Sequence, residues 1–276
     1  MEIDKYAVFG NPIAQSRSPL IHQTFAKQRN EIIDYQKILG QKGNFSANLD
    51  EFFADPNAKG CNITSPFKQD AVEWVTELSP AAVKAGAINT IIRLDENRFR
   101  GETTDGPGLV LDLKHQHFDF TDTRILLIGA GGAARGVILP ILEQGVKNIT
   151  IVNRTKEKAA ELANWFANEQ VCAADFSELN TKLSQSFDLI VNCTSASLSG
   201  QLPDLSDNVL SQATMVYDMV YLSTPTVFVE RAKTLGVTHT SDGLGMLVGQ
   251  AAHSFKLWRG YMPDIEPVMQ QIRRML

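Results

Sequence analysis

The stretch RILLIGAGGAARG at residues 124–136 has the composition of a buried strand, a tight glycine turn and the first turn of a helix. Gly129, Gly131 and Ala134 form a G-x-G-x-x-A pattern directly after the apolar residues. In a dinucleotide-binding turn, these positions allow the turn, the approach of a pyrophosphate and close helix packing, respectively. The helix N-terminus then offers free N–H groups to phosphate oxygens. A glycine turn that binds nothing is the alternative interpretation, and the flanking strand and helix patterns disfavour it.

The residues that follow this turn predict a complete nucleotide-binding sheet. Six short apolar segments alternate with helical patterns, namely RILLIG, NITIVN, VCAADF, DLIVNCT, MVYDMV and VTHT. Continuous apolar strands separated by helices are typical of a parallel sheet that is covered on both faces. We therefore predict an α/β protein with a Rossmann-type, doubly wound domain at residues 105–240.

A second α/β unit precedes this domain. Its strand candidates YAVFG, IDYQKIL, GCNIT, INTIIRL and RFRG are separated mainly by helical patterns. The C-terminal segments GMLVGQAAHSFKLWRG and PDIEPVMQQIRRML predict two helices that the six-strand domain does not need. We expect residues 241–276 to return to a first domain at residues 1–104 and to complete it.

The composition excludes several classes of partner. The chain has 276 residues and a formal net charge of -5, whereas nucleic acid or an anionic membrane would require a broad basic surface. The N-terminus MEIDKYAVFG carries acids where a signal peptide would be basic, and no apolar run reaches the ~18 residues of a membrane span. These features predict a cytoplasmic protein. We expect it to act as a monomer or homodimer.

Neither the cysteines nor the histidines indicate a metal site. The three cysteines, Cys61, Cys172 and Cys193, form no C-x-x-C pair, so we expect reduced and mostly buried thiols. His115 and His117 form an isolated H-x-H with no ligand framework nearby in the sequence. No metal is predicted.

The end of the second Rossmann strand indicates the cofactor. NAD enzymes usually place an acidic residue there to bind the ribose 2′-hydroxyl, but this chain has Asn153, Arg154 and Thr155. A planar Arg side chain fits a 2′-phosphate, and a short hydroxyl can donate to it, so we predict NADP. Alternatively, Thr155 only caps the following helix and Arg154 is a solvated charge.

Several separate motifs resemble the shikimate dehydrogenase family across essentially the whole chain. They are GNPIAQSRSP at 10–19, NITSPFK at 62–68, GAINT at 86–90, TTDG at 103–106, GAGGAAR at 129–135, NRT at 153–155 and DGLGMLVGQAAHSF at 242–255. The resemblance implies an α/β substrate domain, an NADP-binding Rossmann domain and C-terminal helices that return to the first. It also implies reversible reduction of 3-dehydroshikimate to shikimate.

The resemblance implies two catalytic residues, Lys68 and Asp105, which would face each other beside the reacting hydroxyl. Such a pair suits the reaction, because hydride reduction of a ketone produces an alkoxide that needs a proton. Without the resemblance, Lys68 would be interpreted as an exposed lysine at a helix start and Asp105 as a helix N-cap.

The remaining site residues are also implied by the resemblance. Ser16, Ser18 and Tyr221 would hold the substrate carboxylate, although Ser18 followed by Pro19 also fits an ordinary helix N-cap. The ring hydroxyls would contact Thr64, Asn89 and Gln250. The NADP-binding residues would be Gly129, Ala130, Gly131, Gly132, Ala133, Asn153, Arg154, Thr155, Thr194, Met219 and Gly243.

Gln250 has separate support from the helical pattern. It shares one stripe with Leu247, Ala251, Ser254 and Trp258, so it should find a buried hydrogen-bond partner. A backbone partner alone would also satisfy it.

Two positions depart from the family pattern. Thr103 stands where the family commonly has Asn, and Gln15 stands where a His often precedes the first serine.

Two other functions stay open. One alternative is a quinate/shikimate dehydrogenase of broader specificity. The other is a non-catalytic ligand-binding or regulatory relative, which would not need both Lys68 and Asp105.

Overall fold

A computed structural model describes residues 3–181 and 186–276, and the chain forms two compact units. The first unit comprises the residues up to Gly108 together with Leu247–Ile272. The second comprises Leu109–Met246 and Arg273–Leu276. No helix among the described residues is both long and apolar enough to cross a bilayer.

The first unit contains a six-stranded mixed sheet. Its strands are β1 (Lys5–Gly10), β2 (Asp34–Leu39), β3 (Ala58–Ile63), β4 (Glu77–Leu78), β5 (Thr90–Arg93) and β6 (Phe99–Glu102). The strand order is β2-β1-β3-β5-β6-β4. Strand β1 pairs in parallel with β2 and β3, whereas β5 is antiparallel to both β3 and β6. The short β4 was not predicted, since two paired residues have too little periodicity to be detected.

Helices separate and follow these strands. They are α1 (Ser18–Lys27), α2 (Phe45–Phe53), α3 (Asp70–Trp74), α4 (Pro80–Ala85) and α5 (Asp105–His115). Local sequence explains the start of α4, because the Ser79 side chain accepts a hydrogen bond from the Ala82 N–H at 3.1 Å and Pro80 occupies the first turn. Helix α5 begins in the first unit and continues into the second.

The second unit has a sheet of six parallel strands. They are β7 (Arg124–Ile128), β8 (Asn148–Val152), β9 (Val171–Ala174), β10 (Leu189–Asn192), β11 (Met215–Asp218) and β12 (His239–Asp242), in the order β12-β11-β10-β7-β8-β9. Its helices are α6 (Gly132–Leu142), α7 (Lys156–Phe166), α8 (Phe176–Thr181), α9 (Asp207–Ser211) and α10 (Val227–Thr234). This strand order is that of a doubly wound nucleotide-binding fold and confirms the predicted fold class.

Two further helices follow, α11 (Leu244–Arg259) and α12 (Glu266–Arg274), and most of each belongs to the first unit. The Trp258 indole N–H donates to the Ile91 carbonyl at 3.0 Å, and Arg259 forms ion pairs with Asp4 and Glu31. These contacts hold the end of α11 against β5 and against residues that precede β1 and β2.

The three cysteines are free thiols, but they are not equally buried. Cys61 is buried, Cys193 is half-buried and Cys172 is exposed. The expectation of mostly buried thiols is therefore wrong for Cys172. This residue lies on β9, an edge strand of the second sheet, where neighbouring strands cover it on one side only. Burial raises the pKa of the Cys61 and Cys193 thiols.

Candidate active site and cofactor turn

In the first unit, Lys68 and Asp105 form an ion pair. Lys68 lies in the turn after β3, and Asp105 is the first residue of α5. The Lys68 ammonium donates to Oδ2 of Asp105, and the two side chains are only 28% and 14% exposed. The interpretation of Lys68 as an ordinary exposed lysine is therefore wrong. The fold brings together a cation and a carboxylate that are 37 residues apart in the chain.

Asn89 donates a hydrogen bond to the other carboxylate oxygen of Asp105. Its Nδ2 donates to Oδ1 of Asp105 at 2.9 Å and to Oε1 of Gln250 at 3.2 Å. Its Oδ1 accepts the backbone N–H of Thr104 at 2.8 Å. Because a backbone N–H can only donate, this bond identifies the amide oxygen and shows that the NH₂ group faces Asp105 and Gln250.

Gln250 has the partner that its position on the helix predicts. Its Oε1 accepts from Asn89, and its Nε2 donates to the Leu247 carbonyl at 2.8 Å. Side-chain and backbone partners therefore both satisfy it. The predicted ring-hydroxyl contacts Asn89 and Gln250 lie beside the Lys68–Asp105 pair.

Ser16 and Ser18 also lie together, with 3.2 Å between their hydroxyl oxygens. The Ser18 backbone N–H donates to Oγ of Ser16 at 3.3 Å. The N-cap of α1 is Arg17, and it makes no side-chain capping bond. The interpretation of Ser18 as the cap is therefore wrong. Thr64 directly follows β3, and its N–H donates to the Phe9 carbonyl at 2.8 Å.

The two departures from the family pattern lie next to these residues. Gln15 is exposed and donates only to the Pro12 carbonyl of its own loop, at 3.4 Å. Thr103 is buried, with 7% of its surface exposed, and precedes Thr104. Neither residue interrupts the contacts of Lys68 or Asp105.

In the second unit, the glycine turn between β7 and α6 has the geometry of a pyrophosphate site. Gly129 has φ +111°, a backbone conformation that favours glycine. A Cβ built on Gly131 or Gly132 would have no atom within 4 Å, so the backbone at the start of α6 faces open space. Ala134 is fully buried in the core. Ala130 belongs to the turn, and Ala133 belongs to the first turn of α6.

A cavity of about 690 Å³ begins at this turn and extends over the end of β8. Its lining includes Gly129, Asn153, Arg154 and Thr194. Thr155 is the N-cap of α7, but its side chain makes no capping bond, so capping does not account for it. Asn153 Nδ2 donates to the Thr155 carbonyl at 2.8 Å, which holds the turn between them. Arg154 is exposed and can reach an anion in this cavity.

Three other predicted cofactor residues, Thr194, Met219 and Gly243, and the predicted carboxylate ligand Tyr221 follow neighbouring strands of this sheet. The Thr194 hydroxyl donates to Oδ1 of Asn192 at 2.7 Å. Met219 follows β11, and a Cβ on Gly243 would lie 2.0 Å from the Met219 carbonyl oxygen. Only glycine fits at position 243. Tyr221 is half-buried in the segment after β11. All four residues lie at the carboxyl ends of parallel strands, where nucleotides bind in this fold.

Sequence reasoning did not include the buried polar residues behind these sites. Asn192 Nδ2 donates to Asp218 at 3.2 Å, and Asp218 accepts from the Thr226 hydroxyl at 2.7 Å. In the first unit, Asn62 and Thr90 lie behind Asn89. A polar residue inside an apolar strand pattern is the signal that could have identified them. In the described ranges, no three His, Cys, Asp or Glu side chains are grouped as a metal site would require.

Comparison with known proteins gives matches along nearly the whole chain. Residues 8–91 match the family model for the shikimate dehydrogenase substrate binding domain, residues 112–225 match shikimate / quinate 5-dehydrogenase, and residues 243–273 match the shikimate 5′-dehydrogenase C-terminal domain. The chain is 49% identical over 275 residues to the shikimate dehydrogenase (NADP(+)) of Photobacterium profundum, with 99% of each chain covered.

Two solved structures are similar in fold over the same length. The Ael1 enzyme from Pseudomonas putida has a TM-score of 0.91 and 39% identity, and 97% of each chain is covered. Shikimate 5-dehydrogenase from Thermus thermophilus, in complex with NADP(H) and shikimate, has a TM-score of 0.88 and 30% identity. That match covers 99% of this chain and 100% of the other.

Proposed function

The chain belongs to the shikimate dehydrogenase family, and we propose that it catalyses the reversible, NADP-dependent reduction of 3-dehydroshikimate to shikimate. The observation that carries this proposal is the Lys68–Asp105 ion pair, supported by Asn89 in a half-buried setting. A protein that only bound the ligand would not need a proton-transfer pair. We further propose that residues 1–104 and 241–276 form the substrate domain and that residues 105–240 form the NADP domain.

The residues of the second unit fit NADP. The N–H groups at the start of α6, next to Gly131 and Gly132, would hold the pyrophosphate. Arg154 and Thr155 would hold the 2′-phosphate, because no carboxylate replaces them there. When bound, the reduced cofactor supplies the hydride, and the protein supplies position and charge.

Lys68 would handle the proton. As hydride reaches the carbonyl carbon, the C=O π electrons move to oxygen, and the Lys68 ammonium gives that oxygen a proton to complete the hydroxyl. Asp105 accepts a hydrogen bond from Lys68 and balances its charge. In the reverse direction, the neutral amine takes the hydroxyl proton while hydride leaves the same carbon.

Hydroxyls and amides would hold the substrate. We propose Ser16, Ser18 and Tyr221 for the carboxylate, and Thr64, Asn89 and Gln250 for the ring hydroxyls. The adjacent serine hydroxyls and the fixed Asn89 amide support these assignments. The cytoplasmic location, the monomer or homodimer, and the exclusion of nucleic acid stay predictions from the sequence.

The test is the appearance of NADPH absorbance when the purified protein is mixed with shikimate and NADP. Quinate in place of shikimate, and NAD in place of NADP, are run beside it. We expect rapid NADPH formation with shikimate, and much slower reactions in the other combinations. Comparable rates with quinate would favour the enzyme of broader specificity. Absence of any reaction from a folded, NADP-binding protein would favour the non-catalytic relative.

A further inference from the structure

A cluster of polar side chains is buried behind Asn89 in the first unit. Its members are Asn62, Thr90, Thr104 and Ser254, with exposed fractions of 5%, 0%, 2% and 0%. They come from β3, β5, the residue before α5, and α11. Buried polar groups are costly unless they are hydrogen-bonded, so their partners reveal what the cluster holds.

Asn62 links this cluster to the main chain of Asn89. Its Nδ2 donates to the Asn89 carbonyl oxygen at 3.1 Å and to Oγ1 of Thr90 at 3.1 Å. Because a carbonyl oxygen can only accept, the bond to Asn89 fixes the orientation of the amide, and its Oδ1 accepts the Tyr35 hydroxyl at 2.7 Å. Asn62 and Thr90 are direct partners in the antiparallel β3–β5 pair. A side chain on the neighbouring strand therefore adds a second bond to the Asn89 carbonyl oxygen, which also accepts the Ile63 N–H at 2.8 Å.

Thr90 links the cluster to the side chain of Asn89. Its hydroxyl already accepts from Asn62, so its single proton is available for a further acceptor. Oδ1 of Asn89 lies 3.1 Å away, and Oγ of Ser254 lies 2.7 Å away. Ser254 in turn lies 3.1 Å from the Thr104 hydroxyl. The Thr90 hydroxyl therefore bonds the oxygen of the Asn89 amide from within the core.

We propose that Asn62 and Thr90 are positioning residues that hold Asn89 in the orientation in which its NH₂ group orients Asp105. This inference rests on the proposed function, because its consequence for turnover depends on the Lys68–Asp105 pair. Neither residue belongs to the predicted site, and each acts through Asn89. Misplacement of a catalytic group by about 1 Å can lower the rate about 10²-fold, so indirect support of this kind is measurable.

Thr90→Val tests the proposal, since it replaces the hydroxyl by a methyl group of similar size. Thr90→Ser keeps the hydroxyl and is the conservative variant for rescue. Thr150→Val is the matched control, because Thr150 is also a buried strand threonine but lies on β8 of the second unit. For each variant, kcat and KM for shikimate, the NADP dissociation constant and thermal unfolding are measured.

We expect Thr90→Val to lower kcat by roughly tenfold or more. This is part of the rate enhancement of about 10² to 10⁴ that acid–base assistance typically gives. Thr90→Ser should restore most of that loss, and Thr150→Val should keep kcat near the wild-type value. NADP affinity should not change in any of the three. A folded Thr90→Val with a near wild-type kcat, or a Thr90→Ser that is equally impaired, would overturn the proposal.

A crystal structure of Thr90→Val tests positioning without relying on turnover. We expect the Asn89 amide to rotate or shift, so that its 2.9 Å bond to Asp105 is lost. An unchanged bond would overturn the inference even if the enzyme were inactive. If Thr90→Val breaks this bond but the wild-type protein does not oxidise shikimate, the proposed function is wrong and the positioning role of Thr90 stands.

Discussion

Arg154 is the residue on which cofactor choice should depend. It is exposed at the edge of the cavity beside the glycine turn, and no acidic residue replaces it at the end of β8. Charged hydrogen bonds contribute about 1.5 to 3 kcal/mol, so Arg154→Ala should weaken NADP binding by that amount. NAD has no 2′-phosphate, so its binding should change little. Isothermal titration with both cofactors measures the difference, and equal losses for the two would contradict the assignment.

His22 should make the stability of the first unit depend on pH. The ring is fully buried and stacks on Tyr35 with centroids 4.5 Å apart. Burial lowers the pKa of His22 to about 3, and nearby Asn62 opposes this shift only in part. Since the unfolded chain binds the proton near pH 6.5, the stabilisation is present above that pH and is lost as pH falls toward 3.

The expected effect is a loss of about 2 kcal/mol of unfolding free energy between pH 7 and pH 5. Urea unfolding followed by tryptophan fluorescence measures it, because Trp258 lies 5.2 Å from the His22 ring. His22→Leu should remove this part of the pH dependence. His239→Gln, which changes an exposed histidine, should leave it in place. An unchanged slope in His22→Leu would show that other groups cause it.

At the scale of elements, close backbone contact between helices should be sensitive to a single methyl group. A Cβ on Gly108 of α5 would lie 2.4 Å from the backbone nitrogen of Gln250 on α11. Backbone atoms cannot move aside easily, so Gly108→Ala should cost about 1 to 3 kcal/mol, as overpacking usually does. Gly132→Ala, where a Cβ meets open space, should not destabilise the protein. Thermal unfolding compares them, and equal stability would refute the close contact.

The Lys68–Asp105 pair joins two elements, the turn after β3 and the start of α5. Lys68→Ala should lower turnover by about 10² to 10⁴, with NADP affinity nearly unchanged, because acid–base assistance is lost. Asp105→Asn should also lower turnover. The double variant should lose much less than the product of the single losses, because the two residues act as a unit.

Steady-state kinetics of the wild-type protein, the two single variants and the double variant test this prediction. Circular dichroism is the control for folding. Multiplicative losses would show that the residues act independently. Near-normal turnover in Lys68→Ala would remove its role in proton transfer.

The elements that the sequence predicted are those with a strong local pattern. Continuous apolar runs such as RILLIG and NITIVN became β7 and β8, because strands covered on both faces need apolar residues throughout. Strand β4 was missed, since its pairing with β6 depends on tertiary contacts. The capping interpretations of Ser18 and Thr155 also came from local patterns, and the observed side chains make no capping bonds.

At the scale of the whole molecule, the residues of the site could be named from motifs, but their bonds could not. Lys68 and Asp105 could be paired only through the family resemblance, because nothing in local sequence brings a turn and a helix start together. The support from Asn62 and Thr90 was not foreseen, since a polar residue in a strand can face either the core or solvent. Its role depends on which partner each buried polar atom has, and local sequence does not determine those partners.

The division of the chain into two units predicts where each ligand protects the backbone. A ligand at a hundred times its dissociation constant stabilises the folded protein by about 2.7 kcal/mol. Amide hydrogens that exchange only when the site opens and releases the ligand should therefore exchange about a hundredfold more slowly. NADP alone should therefore slow exchange at residues 129–133 and 153–155. Shikimate alone should slow it at residues 64–68 and 247–251. Exchange measured by mass spectrometry, with each ligand separately, tests both expectations.

Arg154→Ala is the control for the nucleotide part of this experiment. At a fixed NADP concentration it should reduce the protection of residues 129–133, because less cofactor is bound. Protection by shikimate at residues 64–68 should be retained, since Ser16, Ser18 and Thr64 belong to the other unit. If NADP instead protected residues 64–68 and left 129–133 unchanged, the glycine turn would not be the cofactor site. The assignment of NADP to the second unit would then be wrong.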